Sequence, residues 1–144
     1  MLKVKFLRPG AKAPTVAHPG EDLGYDIFAA ETVSFAARGS ALVPTGIAVE
    51  LTSKTGEPMG AILRDKSSLA SRRLIVAAGV IDAGYRGEIK VVMENLAETP
   101  AEIRAGEKIA NLIPYPVLTD EVKVVEELGT SNREARGFGS SGRS

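Results

Sequence analysis

The sequence predicts an all-β fold, a sandwich, barrel or jelly roll of about ten short strands with one short helix. Three observations predict it. Apolar residues alternate with polar ones at a period of two in several places. Fifteen glycines and eight prolines fall as punctuation between short apolar runs. One segment alone is helix-like, and it has room for about two turns.

The alternation is read at Leu2, Val4 and Phe6 against Lys3 and Lys5, then at Ile47, Val49 and Leu51, and again at Ile89, Val91 and Met93. Each predicts a half-buried strand, because successive side chains leave a strand on opposite faces. Thr32 to Phe35, Met59 to Leu63, Lys108 to Tyr115 and Glu121 to Val125 are further strand candidates, each bounded by Gly, Pro, Asn or Ser. The helix candidate is SSLASRRL, residues 67 to 74, with Asp65 as N-cap. A lone helix start in a β protein has N–H groups without internal partners, which attract anions.

With 144 residues the chain forms one domain. Residues 1–127 carry the β pattern, and residues 128–144 change to Gly, Ser and Arg with a single Phe138. Such a tail either frays as an ordinary chain end or orders over a ligand. Eighteen basic and eighteen acidic residues cancel, so no global field draws the protein to nucleic acid or a membrane. With no Cys and one His, thiolate nucleophiles, Cys-ligated zinc and His-rich metal sites are excluded. The N-terminus alternates charge with apolar residues and no apolar run approaches the ~20 residues of a membrane span, so the expected location is the cytoplasm.

Charge is local instead. Residues 64 to 90 hold Arg64, Lys66, Arg72, Arg73, Arg86 and Lys90 against Asp65, Asp82 and Glu88, and the tail holds Arg133, Arg136 and Arg143 against Glu134. Both segments are net positive, which suits a polyanionic ligand and equally a solvated charged face. GFGSSG at 137 to 142 spells a dinucleotide fingerprint, but only Arg143 and Ser144 follow it, so no helix exists to receive a pyrophosphate.

Five segments remain. GVIDAGYRGEIKVVMEN, residues 79 to 95, reads as a β-hairpin whose Gly79, Gly84 and Gly87 permit positive φ and close backbone approach, so that a flat ligand could bond to main chain. Asp82 and Tyr85 border that slot, or else cap and pack the turn. RDKSSLASRR, residues 64 to 73, offers phosphate the amides of Ser67 and Ser68, a hydroxyl and the Lys66 ammonium, or is an ordinary capped helix. DLGYDIFAAE, residues 22 to 31, sets Asp26 among apolar neighbours, where a carboxylate needs a partner or a metal-bound water. AGEKIANLIP, residues 105 to 114, turns into a buried strand with Asn111 as its odd polar residue. The tail is the fifth.

In order, GYDIFAAE, KSSLA, GVIDAGYRG, GEKIANLIP and RGFGSSG resemble the five motifs of the trimeric dUTPase family, which hydrolyses dUTP to dUMP and pyrophosphate. The likeness spans nearly the whole chain, and GVIDAGYRG is its strongest part. It implies a β jelly roll assembled as a homotrimer, with active sites at subunit interfaces and each tail closing over one. By the same resemblance the enzyme keeps uracil out of DNA and supplies dUMP for thymidylate.

The family pattern makes Asp82 the general base that activates water for attack on the α-phosphorus, and puts Tyr85 beneath the deoxyribose. Main chain around Val80, Ile81 and Asp82, edged by Ala77 and Lys90, would read uracil. Lys66, Ser67 and Ser68 would hold the triphosphate, Asn111 would contact it, and Arg133 would pair with its terminal group. Phe138 would cover the uracil ring, with Gly139, Ser140 and Ser141 beside phosphate. Mg²⁺, held mainly by phosphate oxygens and water, would meet Asp26 through water. The chain departs from the pattern where Lys66 stands for a frequent Arg, Ser68 for Gly, Asn111 for Gln, and Glu134 and Arg136 for Gly. The related dCTP deaminases share the fold and an S-S-L-A segment, and a non-catalytic nucleotide-binding jelly roll is a further alternative.

Overall fold

Residues 1–131 are described by a computed structural model. Their order is β1 (Leu2–Phe6), β2 (Tyr25–Phe28), β3 (Val33–Phe35), β4 (Ser40–Pro44), β5 (Ile47–Thr52), β6 (Pro58–Asp65), α1 (Ser67–Ala70), β7 (Leu74–Val76), β8 (Val80–Ile81), β9 (Lys90–Asn95), β10 (Ala101–Ile103) and β11 (Lys108–Pro116). The all-β, jelly-roll-like expectation holds.

The main sheet runs β1-β5-β6-β11-β2, with β8 added to β6; β4-β9-β7 form a second sheet and β10-β3 a third. Every pairing is antiparallel. One core joins them. Ile27 of β2, Val43 of β4, Ile47 of β5, Leu63 of β6, Leu69 of α1, Leu74 of β7, Val91 and Met93 of β9, Ile103 of β10 and Leu112 of β11 are all buried in it. Burial of each such side chain stabilises by about 1.5–3 kcal/mol relative to exposure. Along β9 the period of two places Val91, Met93 and Asn95 inward. Asn95 is tolerated there because its Nδ2 donates to Ala36 O at 2.9 Å and Thr99 O at 2.8 Å, while its Oδ1 accepts Ala97 N–H at 3.0 Å.

Five expectations are corrected. The 79–95 hairpin does not form: β8 pairs β6 through Ala61↔Ile81 and Ile62↔Val80, whereas β9 pairs β4 and β7. The glycine-rich bend thus crosses between sheets. Residues 121–125 form no strand; Val122 and Val124 are almost fully exposed, because the apolar face of that alternation meets no sheet among the described residues. The helix stops at Ala70, since Arg73 takes a positive φ of 66° and Leu74 opens β7. Asp65 is not its cap: it ends β6, its Oδ1 accepts Val76 N–H at 2.6 Å, and Lys66 occupies the cap position without a side-chain bond. β1 is also less covered than its alternation predicts, with Phe6 58% exposed on an edge strand.

Candidate active site

β6 is the ruler on which the site is laid out. One edge carries β5 at Pro58 and Met59, then β8 at Ala61 and Ile62; the other edge carries β11 from Met59 to Asp65. At 3.3–3.4 Å per residue, about 10 Å of strand separates the β8 crossing from Asp65.

At the β8 crossing, Leu63 N–H donates to Gly79 O at 2.7 Å, which makes 63–79 and 61–81 the hydrogen-bonded pairs. Val80 N–H and C=O therefore point away from β6. Val80 is 77% exposed and, among the described residues, no strand pairs the outer edge of β8. One main-chain donor and one acceptor are thus presented to solvent.

Asp82 follows at once. Its carbonyl accepts Tyr85 N–H at 3.0 Å, which closes the bend through main chain. The carboxylate is exposed and, among the described residues, takes part in no hydrogen bond or ion pair, so it does not cap the turn. Tyr85 is pinned, with its hydroxyl donating to Glu88 O at 2.9 Å. A Cβ on Gly87 would lie 2.5 Å from that hydroxyl oxygen, so glycine lets the ring lie against the loop. Gly79 is needed likewise, since a Cβ there would sit 2.7 Å from Leu63 O. None of Gly79, Gly84 and Gly87 takes a positive φ; of the two uses the sequence allowed, Gly79 and Gly87 serve close approach.

Val80, Ile81, Asp82, Tyr85 and Lys90 line one groove of about 450 Å³, joined by Leu42, Glu88 and Ile89. Ala77 lies outside it, and its N–H donates to Val92 O at 2.9 Å.

The second cluster lies past the end of β6. Asn111 of β11 is in register with Asp26 of β2 on one side and Arg64 of β6 on the other. Lys66 Nζ reaches Asp26 Oδ1 at 2.5 Å and Lys108 Nζ reaches Oδ2 at 2.8 Å. Burial alone would raise the Asp26 carboxyl, but hydrogen bonds from Lys108 and Lys66 hold it below the ordinary aspartate value. Asn111 Nδ2 makes only a long 3.5 Å contact with Asp65 O. Asp26, Lys66 and Asn111 line a groove of about 550 Å³ with Thr15, His18 and Gly24. Ser67 and Ser68 are exposed on the turn that follows Lys66.

The two grooves share no lining residue. A wider concavity of about 760 Å³ beside Arg72 and residues 97–107 contains none of the predicted site residues. Arg133, Phe138, Gly139, Ser140 and Ser141 lie outside the described residues.

A dUTPase family model matches residues 11–142. The chain belongs to the dUTPase family. Among curated relatives of this dUTPase-family chain, the deoxyuridine 5'-triphosphate nucleotidohydrolase of Picosynechococcus is 37% identical, covering 98% of each chain. That of Clostridium acetobutylicum is 39% identical, over 98% of this chain and 96% of its own. Of solved structures, the Staphylococcus bacteriophage 80alpha dUTPase with dUpNHpp is similar with a TM-score of 0.89 at 32% identity, covering 99% of both chains. A dUTPase from phage phi11 of S. aureus, whose structure details the coordination of a structural Mg(II) ion, has a TM-score of 0.80 at 29% identity and covers 90% of this chain and 99% of its own.

Sequence reasoning missed Lys108, which pairs with Asp26, and Leu42, which lines the groove of Asp82. Lys108 sits at a register shift of β11, three residues before Asn111, and its place inside GEKIANLIP was an available signal. Leu42 comes from β4 in the other sheet, and no local pattern singles it out. No membrane-spanning helix occurs among the described residues.

Proposed function

We propose that the chain hydrolyses dUTP to dUMP and pyrophosphate, with Asp82 as the general base and Tyr85 supporting the deoxyribose. The observation that carries this is the uncommitted Asp82 carboxylate, placed in one groove beside the outward main chain of Val80 and the pinned ring of Tyr85. A carboxylate free of partners can accept a proton from water, while one donor and one acceptor on a strand edge can read a pyrimidine edge. Membership of the dUTPase family, and the dUTP analogue in the phage structure, support the same substrate.

Lys66 and Asn111, with Ser67 and Ser68, are assigned to the triphosphate. Lys66 and Asn111 line a groove separate from that of Asp82, with Ser67 and Ser68 on the exposed turn after Lys66, and this separation supports a site completed between copies of the chain in a homotrimer. Apolar side chains left open at Phe6, Leu7, Tyr115 and Val117 support such an assembly. The assigned domain division is 1–127 for the β domain and 128–144 for a tail that closes over the site, where Arg133 and Phe138 would meet phosphate and uracil.

Among the described residues no group of three His, Cys, Asp or Glu side chains could cage a metal. The donor set nevertheless fits Mg²⁺ held chiefly by phosphate oxygens and water, because Asp26 is a hard oxygen donor kept ionised beside the phosphate groove, and each of its oxygens retains a lone pair. Asp26 would hold the ion through water. When bound, Mg²⁺ supplies charge neutralisation for the triphosphate. Asp82 holds and deprotonates the attacking water, Tyr85 fixes the sugar, and Lys66 orients phosphate, so the chemistry is positioning plus electrostatics.

The test is a panel of dUTP, dCTP, dTTP and UTP incubated with the protein and Mg²⁺, assayed for pyrophosphate and ammonia. Pyrophosphate from dUTP alone is expected. Ammonia from dCTP without dUTP cleavage would replace the assignment with a deaminase, and tight dUTP binding without turnover would leave a binding module.

A further inference from the structure

The loop that carries Asp82 and Tyr85 is tied down at its far end by a charged clamp. Glu88 is half-enclosed, its side chain only 13% exposed. Its Oε1 accepts Gly46 N–H at 2.9 Å and its Oε2 accepts Arg8 Nη2 at 2.7 Å. Its main-chain oxygen is the acceptor of the Tyr85 hydroxyl. One residue thus sets the pose of the aromatic ring through its backbone and is itself located by its carboxylate.

The clamp is built into three separate parts of the chain. Gly46 has φ +69°, and a Cβ there would lie 2.8 Å from Arg8 Cγ, so glycine lets the arginine stem lie across the turn. Leu7 N–H donates to Gly46 O at 2.8 Å, which fixes the segment bearing Arg8 to the same turn. Beside it, Ile89 N–H donates to Ile47 O at 2.8 Å and Thr45 Oγ1 donates to Ile89 O at 2.6 Å. Arg8 also approaches Glu31 at 3.5 Å, and Lys90 Nζ stands 3.9 Å from Glu88 Oε2. With Arg8 bonded to it, Glu88 has a cationic partner, whereas Asp82 in the same groove has none among the described residues.

We propose that Glu88, braced by Arg8, is a positioning residue for the reaction, acting through Tyr85 and the main chain of the Asp82 loop. The proposal rests on the dUTP reading above. Its physical content is that a displacement on the order of 1 Å of a reacting group costs up to about a hundredfold in rate. A carboxylate is required because one oxygen serves a backbone N–H while the other serves a guanidinium; an amide at this position can accept on one side only.

The experiment measures kcat and KM for dUTP, affinity for the non-hydrolysable α,β-imido analogue, and thermal unfolding for wild type, Glu88→Gln, Arg8→Met and Arg8→Lys. Arg38→Ala, which removes the exposed Arg38–Glu98 ion pair, neither residue of which lines the groove, is the control. Glu88→Gln and Arg8→Met are expected to lower kcat roughly 10- to 100-fold while analogue affinity changes much less, with Arg8→Lys recovering part of the rate. Folded Glu88→Gln and Arg8→Met with kcat within about twofold of wild type would overturn the positioning role, as would a loss no larger than Arg38→Ala gives. If one variant fails to fold, the other reads the same clamp from its opposite end. Wild type that fails to cleave dUTP would instead remove the functional reading itself, and the clamp's role with it.

Discussion

Lys66 Nζ lies 2.5 Å from Asp26 Oδ1, and this pair links the first two motifs of the chain across β2 and the end of β6. Lys108 takes the other carboxylate oxygen, so two ammonium groups share one counter-charge and the cluster keeps a net positive charge. An ammonium is a compact point charge without the fork of a guanidinium, so its grip on phosphate is radial and tolerant of angle. Lys66→Met is expected to raise KM for dUTP by about 10- to 100-fold, the loss of one charge-assisted hydrogen bond of about 1.5–3 kcal/mol. Steady-state kinetics at two salt concentrations checks it, because an electrostatic contact weakens as salt rises and wild type should lose more affinity than the variant.

Asp82→Asn preserves the shape of the bend, which is closed by the Asp82 carbonyl and not by its side chain. Binding of the imido analogue should be retained, whereas kcat should fall by about 10²- to 10⁴-fold, the range for removing a general base. Calorimetric titration with the analogue beside a pyrophosphate assay separates the two. A variant that keeps its rate would show that Asp82 is not the base and remove the proposed mechanism.

Much of this site was legible because its chemistry resides in short segments. Asp82 and Tyr85 are three residues apart within one bend, and Asp26 and Asn111 each stand out as polar residues in apolar surroundings. The pairing of the bend was not legible. Alternation on both sides of a glycine-rich turn predicts a hairpin, yet β8 adds to β6 while β9 joins the other sheet, a choice made by long-range packing. Glu88, Arg8 and Gly46 escaped for the same reason: eighty residues separate Arg8 from Glu88, and no local pattern reports a partner that far away. The strand expected at 121–125 has sound alternation but pairs with nothing among the described residues.

Asn95 tests how far the inward period of β9 constrains the core. It is nearly inaccessible, and its amide satisfies two main-chain groups of the β9–β10 turn and the carbonyl of Ala36 after β3. Asn95→Ala should destabilise by about 1–3 kcal/mol, read as a lowered urea midpoint with unchanged slope. Asn95→Asp should be worse than Ala above pH 5, because a carboxylate would face the carbonyl oxygens of Ala36 and Thr99, and the gap should narrow on acidification as the group protonates and regains a donor.

The chain after β11 offers the sharpest separation of fold from function. Residues 117–131 form no strand and belong to no part of the core, and Val122, Val124 and Leu128 are almost fully exposed. Removing residues from 129 onward therefore takes away no core contact made by the described residues, and thermal unfolding of the truncated protein should match that of the full chain. It also removes Arg133 and Phe138, the cation and aromatic ring assigned to the terminal phosphate and the uracil. Since binding energy from such remote contacts is realised in the transition state, kcat/KM for dUTP should fall by at least about tenfold. A truncated protein with full activity would show that the tail takes no part in catalysis, and the grooves bearing Asp82 and Lys66 would then have to bind and turn over the nucleotide unaided.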